Sequence, residues 1–391
     1  MRSDRSYRRV ILALVVLLGA SLGALCALLA RYNLVSQYAP LAEMADTIEK
    51  HFYYYDAEAG EQALIDASLR GMVASLGDVY AEYYTKEEYD ALLADQSGEY
   101  VGIGILIAEP DAAGARIDRV YPDSPMERAG ALAGDYIVAV NGTETANLTL
   151  DELLLLFFDD EDRPDDLSLL RGGERFAVTV RKELVYTPYV SYEMLDGGIG
   201  YVQIESFHGN VVGEMETALA SLLESGMQSL ILDLRDNPGG GLTEVLDVAD
   251  MFLKKGDTIV SIKSKTEDTR TYFAEEDGYA FPMAVLVNGN SASASELLTG
   301  ALKDNGRAAI IGTRTFGKGI VQTTYRLNSN AGWVKITTDA YYSPNDICIQ
   351  DVGIAPDIPV EPQEEYRQSP IAAIPRESDA QLQEAIRYLK G

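Results

Sequence analysis

Apolar and polar positions divide the chain into segments of different period. Val10 to Ala30 is an uncharged run of 21 residues, preceded by the basic stretch MRSDRSYRR and followed by Arg31. About twenty apolar residues span a bilayer as a helix, so this run is expected to be a membrane helix. The excess of arginine before it keeps the N-terminus in the cytoplasm and everything after it outside. The alternative is a cleaved signal peptide, but the run is longer than a usual signal core and no clean A-x-A site follows it. Residues 37–95 carry apolar positions at helical spacing (Leu41, Met44, Ile48; Leu64, Leu69, Met72), with no strand alternation.

From Tyr100 the period shortens. VGIGILIA, ARIDRVY and YIVAV read as strands, as do segments near 166–170 and 175–182, with a short helix at 150–157. Ser124-Pro125 starts a short helix that Gly130 ends, proline being favoured at the first helical position. Gly134-Asp135 turns into YIVAV, and Asn141-Gly142 is a hairpin-type turn. From about 184 strand and helix alternate. IGYVQI (199–204), the strand in MQSLILDLRDNPGGGL, MAVLVN (283–288) and AAIIG interleave with helices at 213–223, 243–254 and 293–303, the last stopped by Asn305-Gly306. IVQTTYRL and WVKITTDAYY alternate as β, and 376–390 is a terminal helix. Such a series gives a sheet with helices on its face.

Composition narrows the choice of partner. The 391 residues are 47% hydrophobic, enough for ample cores, and the net charge is −29. No basic stripe is present, so nucleic acid is excluded as a partner. Of two cysteines, Cys26 lies in the apolar run and Cys348 beyond it, so no intramolecular disulfide forms outside that run.

Several motifs compete as the seat of chemistry. Gly312-Thr-Arg-Thr-Phe-Gly317-Lys318 matches a phosphate-binding loop, but Gly319 replaces the magnesium-binding hydroxyl and a strand, not a helix, follows. Asp236-Asn-Pro-Gly-Gly-Gly241 leads from strand to helix and offers free amides for an anion or oxyanion. Asp233 and Asp236 lack the further ligands a metal needs, and no metal or cofactor is expected. Two histidines, His51 and His208, limit the available bases. His208 could serve Ser293 in a histidine triad, although nothing beside it favours this. Lys318 lies between glycines and apolar residues, a setting that desolvates an amine and lowers its pKa. Ser293-Ala-Ser-Glu296 is a capping box at a helix start. Yet Ser291, Ala292, Ala294 and Ser295 around Ser293 are all small, the steric requirement of a nucleophile elbow.

SASASE, FGKGIVQ 25 residues after its central serine, LILDLRDNPGGGL upstream, TTDAYYSPN and GIAPDIPV together resemble the carboxyl-terminal processing peptidases. These are tail-specific serine proteases that join a PDZ domain to a protease core, and DSPMERAGALAGDYIVAVNG resembles the PDZ family. The resemblance covers residues from about 40 to 362. It implies a multidomain chain, α/β plus β-rich. The order is an N-terminal basic segment and anchor (1–30), a helical region (31–96), a PDZ domain (97–183), a peptidase core of crotonase-like β/α topology (184–365) and a C-terminal helical tail (366–391).

The resemblance implies that Ser293 is the nucleophile, Lys318 the general base and Gln322 its orienting partner; on a strand, 318, 320 and 322 would share a face. It places the oxyanion donors at the amides of Ala294 and Gly239, and a substrate's terminal carboxylate at Gly102, Ile103, Gly104 and Ile105. The implied function is a serine endopeptidase with a Ser–Lys dyad. It would cut protein or peptide substrates near free apolar C-termini, gated by the PDZ domain, on the outer face of a bacterial cell membrane. Dimerisation through the flanking helical regions is also implied. SPNDICIQ has Asn345-Asp-Ile where members often carry glycine–arginine before the serine, so contacts of that loop do not carry over. The competing function is a catalytically silent PDZ protein that captures C-terminal tails.

Overall fold

A computed structural model describes residues 37–56, 60–157, 163–329, 331–367 and 369–391, together with Leu18. The anchor expected over 10–30 lies outside the described residues apart from Leu18, and no helix among the described residues is long and apolar enough to cross a membrane. The described residues divide into two compact units, one of those within 1–85 and 325–335, the other of those within 86–324 and 336–391.

In the first unit, helices α1 (Ala39–His51) and α2 (Gly60–Ala74) bury no residue, and Met44, Phe52 and Met72 are exposed. The all-helical expectation for 37–95 misses one element. Glu82–Tyr84 forms strand β1, antiparallel to residues 333–335, with Glu82 opposite Lys335 and Tyr84 opposite Trp333. Tyr83 and Tyr84 are both buried there. Aromatic residues favour a pleated, half-buried surface, but this partner lies far away in sequence, and local spacing cannot reveal it.

The second unit begins with α3 (Lys86–Ser97) and a β-rich module. Strands β2 (Glu99–Gly102) and β9 (Glu183–Tyr186) pair with each other. The module's sheet runs β3 (Ile105–Ile107), β4 (Ala115–Val120), β5 (Tyr136–Val140), β7 (Asp165–Arg171), β8 (Glu174–Val180), with β6 (Thr143–Glu144) on β5. The turn signals act as their chemistry dictates. Ser124 caps α4 (Pro125–Arg128), accepting from Glu127 N. Asn141 and Gly142 both take positive φ, 50° and 82°, the geometry of a two-residue hairpin turn that closes the Val140–Thr143 pair. Helix α5 (Leu150–Leu155) starts in a capping box between Thr149 and Glu152. Ile117, Met126, Ile137, Leu153 and Leu169 fill the module's core. VGIGILIA, expected as one strand, is broken at Ile103-Gly104, where Gly104 has φ +81°.

The rest of the unit is built on a six-stranded sheet in the order β10 (Val190–Leu195), β11 (Ile199–Ile204), β12 (Ser229–Asp233), β15 (Met283–Val287), β16 (Ala309–Gly312), β19 (Ile358–Pro359). Only β10 runs antiparallel; each later neighbour is parallel. Helices α6 (Val211–Glu224), α7 (Leu242–Asp250) and α8 (Ala294–Asp304) supply the crossovers. Successive side chains of a strand point to opposite faces. Leu230, Leu232, Val285 and Val287 accordingly pack with the three helices. Ile231, Ala284 and Leu286 face α9 (Ala380–Lys390) through Leu382 and Ala385. Every residue of β12 and β15 is buried, as in a sheet covered on both faces. Strands β13 (Thr258–Ser264) and β14 (Arg270–Phe273), not marked in the sequence reading, form a second sheet with β17 (Ile320–Arg326) and β18 (Trp333–Tyr342).

Candidate active site

Ligand sites in parallel sheets lie beyond the carboxyl ends of the strands. Here β12 runs into loop 234–241 and β15 into loop 288–293, and hydrogen bonds stitch the two loops together. Ala292 N and Ser295 Oγ both donate to the Asn237 carbonyl at 3.0 Å. Ser291 Oγ donates to the Leu234 carbonyl at 2.8 Å. Asp236 Oδ1 accepts from the side-chain amides of Asn288, at 2.8 Å, and Asn290, at 2.9 Å. Ser291 and Ser295 are completely buried, which is why small polar residues stand there.

Ser293 sits between these supports at the entry to α8. Its backbone has φ 55° and ψ −114°, a region that non-glycine residues avoid at a cost of about 1–3 kcal/mol. The turn is crowded as well as sharp. A Cβ at Gly239, whose φ is +110°, would come within 2.8 Å of Ser293 Cβ and 2.9 Å of Ala294 N. Only glycine lets the neighbouring loop approach so closely. Ala294 is the first residue of α8, where amides have no intrahelical acceptor. The Gly239 amide, expected as the second oxyanion donor, donates instead to Asn237 Oδ1 at 2.8 Å.

Glu296, at the third position of α8, joins the serine to the lysine segment. Its Oε2 accepts from the amides of Ser293 at 3.0 Å and Lys318 at 2.7 Å. Its Oε1 accepts from Gly317 N at 2.7 Å and Thr315 Oγ1 at 2.6 Å. With two amides on one oxygen, the backbones of Ser293 and Lys318 are no further apart than two hydrogen bonds laid end to end. The carboxylate is 1% exposed, and a buried charge is tolerable only when hydrogen-bonded this fully. Nothing in the sequence signals this second role, because position N3 of a helix already explains a glutamate as a cap.

Lys318 differs in one respect from expectation. It lies in an irregular segment two residues before β17 rather than on the strand, so the shared-face argument for residues 318 and 322 does not apply. The segment is fixed by backbone contacts instead. Tyr341 N donates to the Gly319 carbonyl at 3.0 Å, and the Tyr341 hydroxyl donates to the Lys318 carbonyl. Asp351 N donates to the Gly317 carbonyl at 2.8 Å. A Cβ at Gly319 would stand 2.6 Å from Gln350 N, so the flanking glycines do permit the tight packing read from the sequence. Lys318 is half-buried, while Phe316, the apolar residue just before its glycine, is 58% exposed. Gln322, half-buried on β17, donates to Thr337 Oγ1 at 3.2 Å.

His208 is turned onto Ser206, with Nδ1 2.9 Å from Oγ, and lies edge-on to Tyr189. Burial pushes its pKa below the usual 6.5, with Glu244 and Asp95 opposing. Ser206 Oγ also donates to the Gly239 carbonyl at 3.1 Å. The two aspartates weighed for a metal are otherwise engaged. Asp233 pairs with Arg235 and Tyr201, and Asp236 with the asparagines. A cavity of about 900 Å³ under the C-terminal segment is bordered by Arg235, Asp236 and Asn290, and neither Ser293 nor Lys318 lines it. Gly102, Ile103, Gly104 and Ile105 line a separate cleft of about 160 Å³ in the β-rich module, with Ile107, Leu154 and Phe157 supplying apolar walls.

The chain is similar to known proteins. The profile of Peptidase family S41 matches residues 198–360, and a PDZ domain profile matches 116–155. A protein named "Probable CtpA-like serine protease" from Staphylococcus haemolyticus (strain JCSC1435) is 34% identical over 343 residues, covering 86% of this chain and 67% of its own length. The chain belongs to peptidase family S41. It is a PDZ-bearing serine peptidase of the C-terminal processing group. A relative of the same name from Staphylococcus aureus (strain bovine RF122 / ET3-1) is 35% identical over 314 residues, 79% of this chain and 62% of its own length. The chain thus spans about two thirds of the length of these relatives. A solved structure titled "Putative S41 protease", from Bacteroides fragilis NCTC 9343, covers 87% of this chain and 91% of its own at 16% identity and TM-score 0.54, a likeness of fold.

Proposed function

We propose that this S41 peptidase cleaves proteins through a Ser293–Lys318 dyad. Ser293 Oγ attacks the peptide carbonyl carbon, and neutral Lys318 Nζ takes the hydroxyl proton. The tetrahedral oxyanion is held by the Ala294 amide at the start of α8. The Lys318 ammonium returns the proton to the leaving amine as the peptide bond breaks, and water then hydrolyses the acyl-enzyme. Gln322 orients the amine. Gly239 contributes the second oxyanion donor once Asn237 releases its amide. One observation carries the reading. Ser293 is held at positive φ between strand and helix, and Glu296 binds its amide and that of Lys318 on one oxygen.

The cleft at Gly102–Ile105 receives the free carboxylate of a substrate whose last side chains are apolar, in keeping with its isoleucine, leucine and phenylalanine walls. This capture gates cleavage. Residues 10–30 anchor the chain, with the peptidase on the outer face of a bacterial membrane. A second copy covers the apolar residues exposed on α1 and α2. Hydrolysis of an unstructured protein with an apolar C-terminus tests the dyad: both Ser293→Ala and Lys318→Ala abolish it. If the folded parent binds the tail but never cuts, the chain is a silent tail-binding protein instead.

A further inference from the structure

Lys318 lies on no strand, so the direction of its side chain depends on what holds the two peptide planes beside it. A peptide bond is planar, and only φ and ψ of Lys318 turn its Cα–Cβ bond relative to those planes. Each plane is gripped at both ends. Before Lys318, the Gly317 carbonyl accepts from Asp351 N at 2.8 Å and the Lys318 amide donates to Glu296 Oε2 at 2.7 Å. After it, the Lys318 carbonyl accepts from the Tyr341 hydroxyl and the Gly319 amide donates to Gln350 Oε1 at 2.9 Å. Two of these grips come from one dipeptide, Gln350-Asp351.

The Gln350 side chain is itself fixed. Its Nε2 donates to Asp351 Oδ1 at 2.9 Å, so the amide has one orientation: turned over, it would set its NH2 against the Gly319 N–H. The dipeptide sits on a rooted turn. Ile349 is buried in the peptidase core, and its carbonyl accepts from Val352 N at 3.0 Å and Gly353 N at 2.9 Å. The Asn345-Asp346-Ile347 stretch, where the loop departs from the family pattern, lies at the exposed outer end, away from the clamp. Glu296 cannot replace Gln350, because it grips only amides on the N-terminal side of the Lys318 Cα. Tyr341 N holds the Gly319 carbonyl at 3.0 Å, but that bond lies beyond the permissive Cα of a glycine.

We propose that Gln350 is a positioning residue for cleavage: its bond to the Gly319 amide sets ψ of Lys318 and so aims the amine at Ser293. The inference rests on the reading that Lys318 is the general base. A base must come within hydrogen-bond reach of the proton it takes. A small change of ψ is magnified along the whole lysine side chain, and a misplacement of about 1 Å can cost roughly a hundred-fold in rate.

The test uses the full chain and an unstructured protein with an apolar C-terminus. Parent and Lys318→Ala are compared with Gln350→Met, Gln350→Asn and the double variant Gln350→Glu with Asp351→Asn. Methionine matches glutamine in length without its acceptor, and asparagine is one methylene too short to reach Gly319. The double variant retains both bonds with the charge exchanged: the carboxylate accepts from Gly319 and from the new side-chain amide at 351. Each single variant is expected to lower kcat by about 10- to 100-fold with KM little changed. The double variant is expected to recover most of that loss. On a Ser293→Ala background, hydrogen exchange at the Gly319 amide is expected to speed up in Gln350→Met, while the Gly317 and Lys318 amides, held by Glu296, stay protected. Should Gln350→Met not fold, Gln350→Asn decides. Parental kcat in a folded single variant overturns the inference, as does a loss in which all three amides open together, the mark of a merely structural role. A kcat loss that the double variant leaves uncorrected also overturns it. If the folded parent does not cleave, or Lys318→Ala cleaves as well as the parent, the dyad reading fails and the inference falls with it.

Discussion

Glu296 does two jobs with one buried carboxylate, and each of its oxygens is in use. Glu296→Ala leaves three amides and the Thr315 hydroxyl without their acceptor, and since one unsatisfied buried donor costs about 1–3 kcal/mol, a loss of at least that order is expected in urea unfolding. Cleavage is expected to fall by at least about a hundred-fold, given how steeply catalysis depends on ångström-scale placement. Unimpaired cleavage by folded Glu296→Ala would show that the Ser293–Lys318 approach has another cause. His208 gives the opposite expectation. His208→Ala retains cleavage, since its ring nitrogen faces Ser206. Its depressed pKa carries a defined pH signature. As pH falls below about 6.5 the unfolded chain takes up a proton that the buried imidazole refuses, so stability drops until the folded pKa is reached and then levels off. The unfolding midpoint measured between about pH 7.5 and 5 should fall for the parent and flatten for His208→Gln. Of this candidate site, the serine and lysine stood out in the sequence through the family resemblance of SASASE and FGKGIVQ, with small and uncharged neighbours only in support. The linking carboxylate did not, because a helix cap and a structural staple look the same in one dimension.

At the scale of elements, turn chemistry and period carried most of the fold. Asn141-Gly142, Ser124-Pro125 and Asn305-Gly306 each punctuate the chain where their backbone preferences require, and the strands of the parallel sheet read as apolar runs. What stayed hidden depended on distant partners: β1 against residues 333–335, the β13–β14 hairpin, and the placement of Lys318 before its strand rather than on it. That last difference makes the glycines decisive. Gly319→Ala would push a methyl to within 2.6 Å of Gln350 N and shift the lysine. Its expected effect is a large fall in kcat with little change in KM, read from steady-state peptide cleavage. The C-terminal helix offers a second test. Arg235, 1% exposed, forks between Asp233 and Asp379, the cap of α9, and also donates to Gln381. Asp379→Ala leaves the guanidinium half-paired in the interior, and a loss of about 3 kcal/mol in chemical unfolding is expected. A change below 1 kcal/mol would mean the helix is held by Leu382 and Ala385 alone.

In the whole molecule, the cleft proposed for substrate tails and the residues proposed for the chemistry occupy separate modules of one unit. The PDZ cleft lies at a strand edge near its beginning, and the peptidase loops lie at the ends of β12 and β15. Arg119 of β4 reaches Glu205, beside the Ser206–Gly239 contact, at 2.8 Å, so the two modules are tied next to the glycine-rich loop that follows β12. The most direct test of the central claim is cleavage of an unstructured protein with an apolar C-terminus by the folded parent, Ser293→Ala and Lys318→Ala, side by side. The account predicts products from the parent alone. Cleavage that survives in folded Lys318→Ala would contradict it, because the proton of Ser293 would then have another acceptor.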